Sequence, residues 1–124
     1  MVKTLRILIV DDQQRARQSL KALIATQFQL VETCEAVNGI EAVRCVEECQ
    51  PDIVLMDAQM PEMDGIEATR IIKEKSPHTP VIVLSMYGEY QPAALAAGAD
   101  AFISKGDPPE LLLEAMAKAT SSRQ

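Results

Sequence analysis

Three short runs in this chain, LRILIV at 5–10, DIVLM at 52–56 and PVIVL at 80–84, are apolar almost without interruption and rich in β-branched residues. They barely alternate between polar and apolar. That pattern fits the central strands of a parallel sheet covered on both faces, because a half-solvated strand would show a period of two. Two other runs do alternate, LVETCEA at 30–36 and DAFISK at 100–105, as edge strands with one wetter face should. Helical periodicity fills the intervals. Residues 14–26 place Ala16, Leu20, Leu23 and Ile24 on one face; 39–49 do so with Ile40, Val43 and Val46 beside Ala42; 65–75 use Ile66, Ala68, Ile71 and Ile72. Segments 89–97 and 108–120 are rich in Ala and Leu.

Helix starts are marked by Asn38 with Glu41, Asp64 with Glu67 and Asp107 with Glu110, each a capping side chain three residues before a glutamate. Pro108 suits a first helical position, and Gly98 falls where the fourth helix should stop. The chain thus reads as βα five times over, with no internal linker, repeat or low-complexity tract. Right-handed crossovers then give an α/β doubly wound (βα)5 sandwich, and the edge assignments fit the flavodoxin-like order 2-1-3-4-5. In such sheets, ligands bind at the carboxyl ends of the strands.

Those ends carry unusual chemistry. The first strand ends in Asp11 and Asp12, the third in Asp57, the fourth in Ser85 and the fifth in Lys105. Adjacent carboxylates repel one another, and three of them at one sheet edge call for a positive partner. A hard divalent cation such as Mg²⁺ supplies it through carboxylate, carbonyl and water oxygens. The same set could receive a phosphoryl group: Asp57 as nucleophile, the cation and Lys105 neutralising the transferring oxygens, Ser85 donating to one of them. Each residue alone is an ordinary strand-end group; the conjunction is what points to a site.

Composition removes other classes. With 124 residues and 48% hydrophobic content the chain suits one domain with one core, and 3% aromatics mean that core is built from Ile, Leu, Val, Ala and Met. A net charge of -6 opposes direct nucleic-acid contact. No apolar run approaches the roughly 18 residues of a membrane helix, and MVKTLRILIV runs into DD rather than a cleavage site, so the expected location is the cytoplasm. Cys34, Cys45 and Cys49 form no CxxC pair. Cys45 and Cys49, four apart, could share a helix face as a redox or metal pair, but small half-buried thiols in a reducing compartment are the plainer reading. His78, between Pro77 and Thr79, reads as a solvated turn residue.

In order and spacing, IVDDQ, VLMDAQMPEMDG, LSMY and AGADAFISK together resemble the receiver domains of two-component response regulators, over essentially all 124 residues. The resemblance implies Mg²⁺ ligation by Asp12, Asp57 and the backbone carbonyl of Gln59, with Asp11 acting through water or as a weaker ligand. It implies phosphorylation of Asp57 by a sensor histidine kinase. Ser85 and Phe102 would be the switch pair that reports it to the face of the fourth helix and fifth strand. Two positions depart from the family pattern. Gly106 follows the lysine where proline is common, leaving the isomer of that peptide bond open, and Phe102 stands where tyrosine is more familiar.

LSMYGEY and AGADAFISKGDPPELLLEA are most similar to the receivers of NarL/LuxR-type transcription regulators. Such regulators carry a helix-turn-helix domain after the receiver, and residues 1–124 contain none. The expectation is therefore an excised receiver, with transcriptional output and dimerisation on phosphorylation, or alternatively a stand-alone regulator acting through protein contacts. The terminal TSSRQ reads as frayed, compatible with a cut linker. A phosphohydrolase with an aspartyl-phosphate intermediate would need a second acid two residues after the nucleophile, and position 59 is Gln. A phosphoacceptor rather than a turnover enzyme is expected.

Overall fold

The computed structural model describes residues 4–121. Five parallel strands, β1 (Leu5–Val10), β2 (Val31–Ala36), β3 (Ile53–Asp57), β4 (Val81–Ser85) and β5 (Ala101–Ser104), form one sheet in the order β2-β1-β3-β4-β5. The helices α1 (Gln14–Ala25), α2 (Gly39–Cys49), α3 (Gly65–Lys75), α4 (Gln91–Ala96) and α5 (Pro109–Ser121) alternate with them. This is the order and architecture expected from the apolar runs.

Strand alternation sorts the interior into two cores. Leu8, Val10, Val54, Met56, Val81 and Val83 face one side, where Ala42 and Val46 of α2, Ala68 and Ile72 of α3 and Ala94 of α4 cover them. Ile7, Ile9, Ile53, Leu55, Ile82 and Leu84 face the other, beneath Ile24 of α1 and Leu112 and Met116 of α5. This two-sided burial explains why β1, β3 and β4 read as continuous apolar runs. Each fully enclosed Ile or Leu contributes about 1.5–3 kcal/mol, so the three central strands anchor the fold.

The helix ends follow local chemistry. Asn38 and Asp64 cap α2 and α3 by accepting from the backbone N–H of Glu41 and Glu67, both at 2.9 Å. Gly98, with φ 105, closes α4 through Gly98 N–H to the Leu95 carbonyl and Ala99 N–H to the Ala94 carbonyl. This pair of bonds needs a left-handed residue at that point.

Four expectations change. Ile40, assigned to the buried face of α2, is 52% exposed, while Gly39 takes the inner position against Met63. The 89–97 helix splits into a 3-10 turn, Gly88–Tyr90, followed by α4 proper; Pro92, lacking an N–H, sits in its first turn. Helix α5 starts at Pro109 rather than Pro108, and the Asp107 carboxylate turns back to accept from Ser104 N–H at 3.1 Å. Thr120 and Ser121 of the supposedly frayed terminus continue α5, Thr120 Oγ1 donating to the Met116 carbonyl at 2.8 Å. The remaining residues of that stretch lie outside the described ones.

Candidate functional site

The site is built at the carboxyl ends of β1, β3, β4 and β5. Parallel pairing of β1 with β3, Val10 opposite Met56, brings Asp11 and Asp12 beside Asp57. Oxygens from all three carboxylates lie within 4.8 Å of one another. Asp11 is 2% exposed and Asp57 7%, whereas Asp12 faces solvent.

Lys105 reaches into this cluster from the end of β5. Its Nζ lies 3.0 Å from Asp57 Oδ1 and 3.2 Å from Asp11 Oδ2. The acids therefore already hold one positive partner, which the sequence had placed nearby without showing that it bridges two of them. Its strand is locked in register by Lys105 N–H donating to the Ser85 carbonyl at 2.8 Å. Both oxygens of Asp11 are engaged, because Oδ1 accepts from Gln13 N–H at 3.0 Å.

Burial raises the pKa of Asp57 above the ordinary carboxylate value; Lys105 opposes that shift, and the charges of Asp11 and Asp12 add to it. For Lys105, burial alone would lower the pKa, but the hydrogen bond and charge of Asp57, joined by Asp11, outweigh it and leave the ammonium pKa raised. One lysine, in contact with two of three acids, leaves the cluster short of positive charge. Hard oxygen donors this close fit a small divalent cation such as Mg²⁺.

The loop after β3 holds Asp57 in place. Ala58 N–H donates to the Leu84 carbonyl and Gly65 N–H to the Ala58 carbonyl, both at 2.9 Å. A Cβ on Gly65 would stand 1.9 Å from the Asp57 backbone oxygen, so the chain can close here only with glycine. At the far side, Arg17 Nη1 donates to the Asp11 carbonyl at 2.8 Å and its Nε to Glu35 at 2.6 Å, fastening α1 to the ends of β1 and β2.

Ser85 is 2% exposed, and its Oγ accepts from Tyr87 N–H at 3.0 Å; its partner in the described structure is its own loop, neither Asp57 nor Lys105. Phe102 pairs with Val83 in the sheet, so alternation sets it on the same face as Ser85, half-buried against the α2–α4 side of the core. Every peptide bond among the described residues is trans, which settles Lys105–Gly106. His78 is exposed, as expected of a turn residue.

Sequence reasoning missed a polar tie at the mouth. Gln59 Nε2 donates to the Tyr90 hydroxyl at 2.7 Å, across 31 residues, and the Tyr90 ring meets that of Tyr87 edge-to-face at 6.3 Å. No local signal could have paired residues so far apart. The Gly65 contact left a faint one, a glycine just after the capping Asp64.

Residues 7–117 match the family model for the response regulator receiver domain. The chain belongs to that family. It is 42% identical over 112 residues to an uncharacterized transcriptional regulatory protein, YhcZ, of Bacillus subtilis, covering 89% of this chain and 52% of that one. It is also 42% identical over 118 residues to the chemotaxis protein CheY of Listeria monocytogenes, covering 93% and 98%. A LuxR-family two-component response regulator from Aurantimonas superposes with TM-score 0.89 at 31% identity, covering 98% of this chain and 89% of that one. The response regulator TrrA of Thermotoga maritima, solved in complex with Mg²⁺-BeF, does so with TM-score 0.86 at 30% identity, covering 94% and 99%. The receiver spans about half the length of the transcriptional relatives and nearly all of the chemotaxis one. Receiver domains are signalling proteins rather than classical enzymes; they work with histidine kinases and bind Mg²⁺ at their acidic pocket. Among the described residues, no helix is long and apolar enough to cross a membrane.

Proposed function

We propose that this receiver accepts a phosphoryl group on Asp57 from a histidine kinase, in an Mg²⁺-dependent step, and passes the change to the face made by α4 and β5. The observation that carries the reading is the convergence of Asp11, Asp12, Asp57 and Lys105, with Asp57 buried at the centre. Asp12, Asp57 and the backbone carbonyl of Gln59 would hold the cation, with Asp11 secondary because both its oxygens are engaged. When bound, Mg²⁺ would supply charge neutralisation for the acids and for the incoming phosphoryl oxygens.

A carboxylate oxygen of Asp57 attacks phosphorus, and the bond from phosphorus to the donor breaks. Lys105, partnered with Asp57 before transfer, then meets the new phosphoryl oxygens, keeping its charge beside the negative one. Ser85 rotates from its loop toward a phosphoryl oxygen and donates to it. Phe102, behind it on the same face, turns into the space given up. That movement reshapes the α4–β5 surface, where Leu95 is 47% exposed.

The likeness to YhcZ and the LuxR-family protein supports transcriptional output through a further domain. Dimerisation on phosphorylation is part of the same proposal, and the net charge of -6 argues against nucleic-acid contact by the receiver itself. The second reading, a stand-alone cytoplasmic regulator working by protein contact, is favoured by the near-complete coverage of the chemotaxis relative. The test is acetyl phosphate with Mg²⁺. The parent should acquire a base-labile phosphate that EDTA prevents, and Asp57→Asn should acquire none. Label retained by Asp57→Asn would refute the assignment.

A further inference from the structure

We propose that Cys34 and Cys49 form a dithiol site that a peroxide oxidises to an intramolecular disulfide, tying the edge strand β2 to the end of α2. Two independent features bring them together. In β2, Cys34 lies two residues from Glu32 and so shares its face of the sheet. On that face Arg6 grips both neighbours: Nε donates to Glu32 Oε1 at 3.1 Å and Nη1 to the Cys49 carbonyl at 2.9 Å. Arg6 thus clamps the last turn of α2 onto the strand pair carrying Cys34, which sets Cys49 beside the face that Cys34 occupies.

All three cysteines are free and half-buried, so a small oxidant can reach them. The pair is not the one that spacing along the helix suggests. Cys45 and Cys49 sit four apart within α2, which holds their Cβ atoms roughly 5–6 Å apart. A disulfide needs about 3.5–4.5 Å. Cys34, on a different element, is free of that constraint. Cys34 and Cys45 are both held as protonated thiols, mainly by burial, Cys34 being pushed up to about 11. Cys34, the thiol so held, is assigned the resolving role, and Cys49 the first attack.

The Cys49 thiolate sulfur attacks a peroxide oxygen; the O–O bond breaks, hydroxide leaves, and Cys49 becomes a sulfenic acid. The Cys34 sulfur then attacks the Cys49 sulfur, the S–O bond breaks, and the departing hydroxide takes the Cys34 proton as water. Two thiols are oxidised by two electrons in total, and one hydrogen peroxide is reduced to two waters. A thiol reductant reverses the bond by exchange.

The test treats the folded chain with hydrogen peroxide and examines it without reduction. The intact mass should fall by about 2 Da as two thiol hydrogens are lost, with a Cys34–Cys49 peptide on digestion. Dithiothreitol should restore the mass, and the oxidised chain should melt higher than the reduced one. Cys45→Ser should behave like the parent. Cys34→Ser should give no bridge and accumulate a dimedone-trapped sulfenic acid at Cys49. A Cys45–Cys49 peptide, a covalent dimer, oxygen gain without a bridge in the parent, or a lowered melting temperature on bridging would each overturn the proposal.

Discussion

The two sides of the strand-end site are built differently. On the β1–β3 side, Asp57 is wedged against Gly65, the following loop is stitched by three backbone hydrogen bonds running through Leu84, Ala58, Gly65, Gly39 and Met63, and Arg17 fastens α1 to β1. On the β4–β5 side, β5 has four residues, none fully buried, α4 has six, and Met86 and Tyr87 are 65% and 53% exposed. The acids that must be fixed relative to one another occupy the close-packed side. Ser85 and Phe102, which the proposed switch has to move, belong to the loosely held one. A receiver needs both: geometry precise enough for transfer, and a neighbouring face whose rearrangement costs only a few kcal/mol.

The sharpest way to break this contrast is to add one methyl group on each side. Gly65→Ala drives a Cβ into the Asp57 carbonyl and should destabilise the protein by about 3 kcal/mol or more, since backbone on both sides leaves nowhere to relax. Gly88→Ala meets no atom within 4 Å and should change stability by no more than about 0.5 kcal/mol. Urea denaturation of the pair measures both. Equal effects would mean the two sides are equally tolerant.

Lys105 is the link between the sides. Lys105→Ala leaves Asp57 and Asp11 facing each other without their shared cation. It should cost about 1–2 kcal/mol without metal, below the value for a fully enclosed pair because the lysine side chain is 29% exposed. Some phosphorylation by acetyl phosphate should survive. The phosphorylation-driven amide shifts over residues 85–105 should shrink, because the modified Asp57 loses its tie to β5. Full-sized shifts in the variant would show that the signal crosses by another route.

Metal-free stability probes the repulsion inside the fixed side. Asp12→Ala removes one of three crowded acids and should stabilise the protein in EDTA by about 1 kcal/mol, while weakening Mg²⁺ binding. Asp57 adds a pH signature. Its folded pKa is raised, so the folded state holds the proton more tightly than the unfolded chain does. Its contribution to stability is therefore present at low pH and lost as pH rises from the ordinary carboxylate value through the raised one. In EDTA, Asp57→Asn should gain on the parent over that interval. A flat difference would mean that Lys105 offsets burial completely.

The same contrast decides what was legible in the sequence. The fixed side announces itself locally: unbroken apolar runs mark β1 and β3, and the acids that follow the one and end the other align because parallel strands in one sheet end at one edge. The loose side does not. Its helix looked continuous over 89–97, yet periodicity says little where Pro92 and a 3-10 turn compete with α-helical bonding. Asp107 and Glu110 have the spacing of a cap, but the carboxylate serves Ser104 instead, a choice made by the tight β5–α5 turn. Ile40 has the period of the buried face of α2 but not its final orientation, because Gly39 is drawn in toward Met63. Lys105 bridging two acids, and Gln59 reaching Tyr90, are contacts across the sheet that no single stretch encodes.

That last contact is the smallest effect expected and the most specific test of where the two sides meet. Tyr87, two residues after Ser85, would be the natural candidate to shield an acyl phosphate from water. In the fold its backbone N–H serves Ser85 while its ring leans outward against Tyr90. Tyr90 is the residue whose hydroxyl holds the Gln59 side chain, joining the start of α4 to the loop after Asp57. Tyr90→Phe keeps the ring and its packing but removes that tie, which is worth about 0.5–1.5 kcal/mol. If the tie closes the mouth against the hydrolytic water, its loss should shorten the lifetime of phospho-Asp57 by roughly two- to ten-fold. Tyr87→Ala should shorten it less, acting only by loosening the ring beneath it. The decay of base-labile phosphate after removal of acetyl phosphate measures both. A faster decay in Tyr87→Ala than in Tyr90→Phe would move the barrier to water onto the Tyr87 ring and leave the Gln59–Tyr90 bond a purely structural clasp.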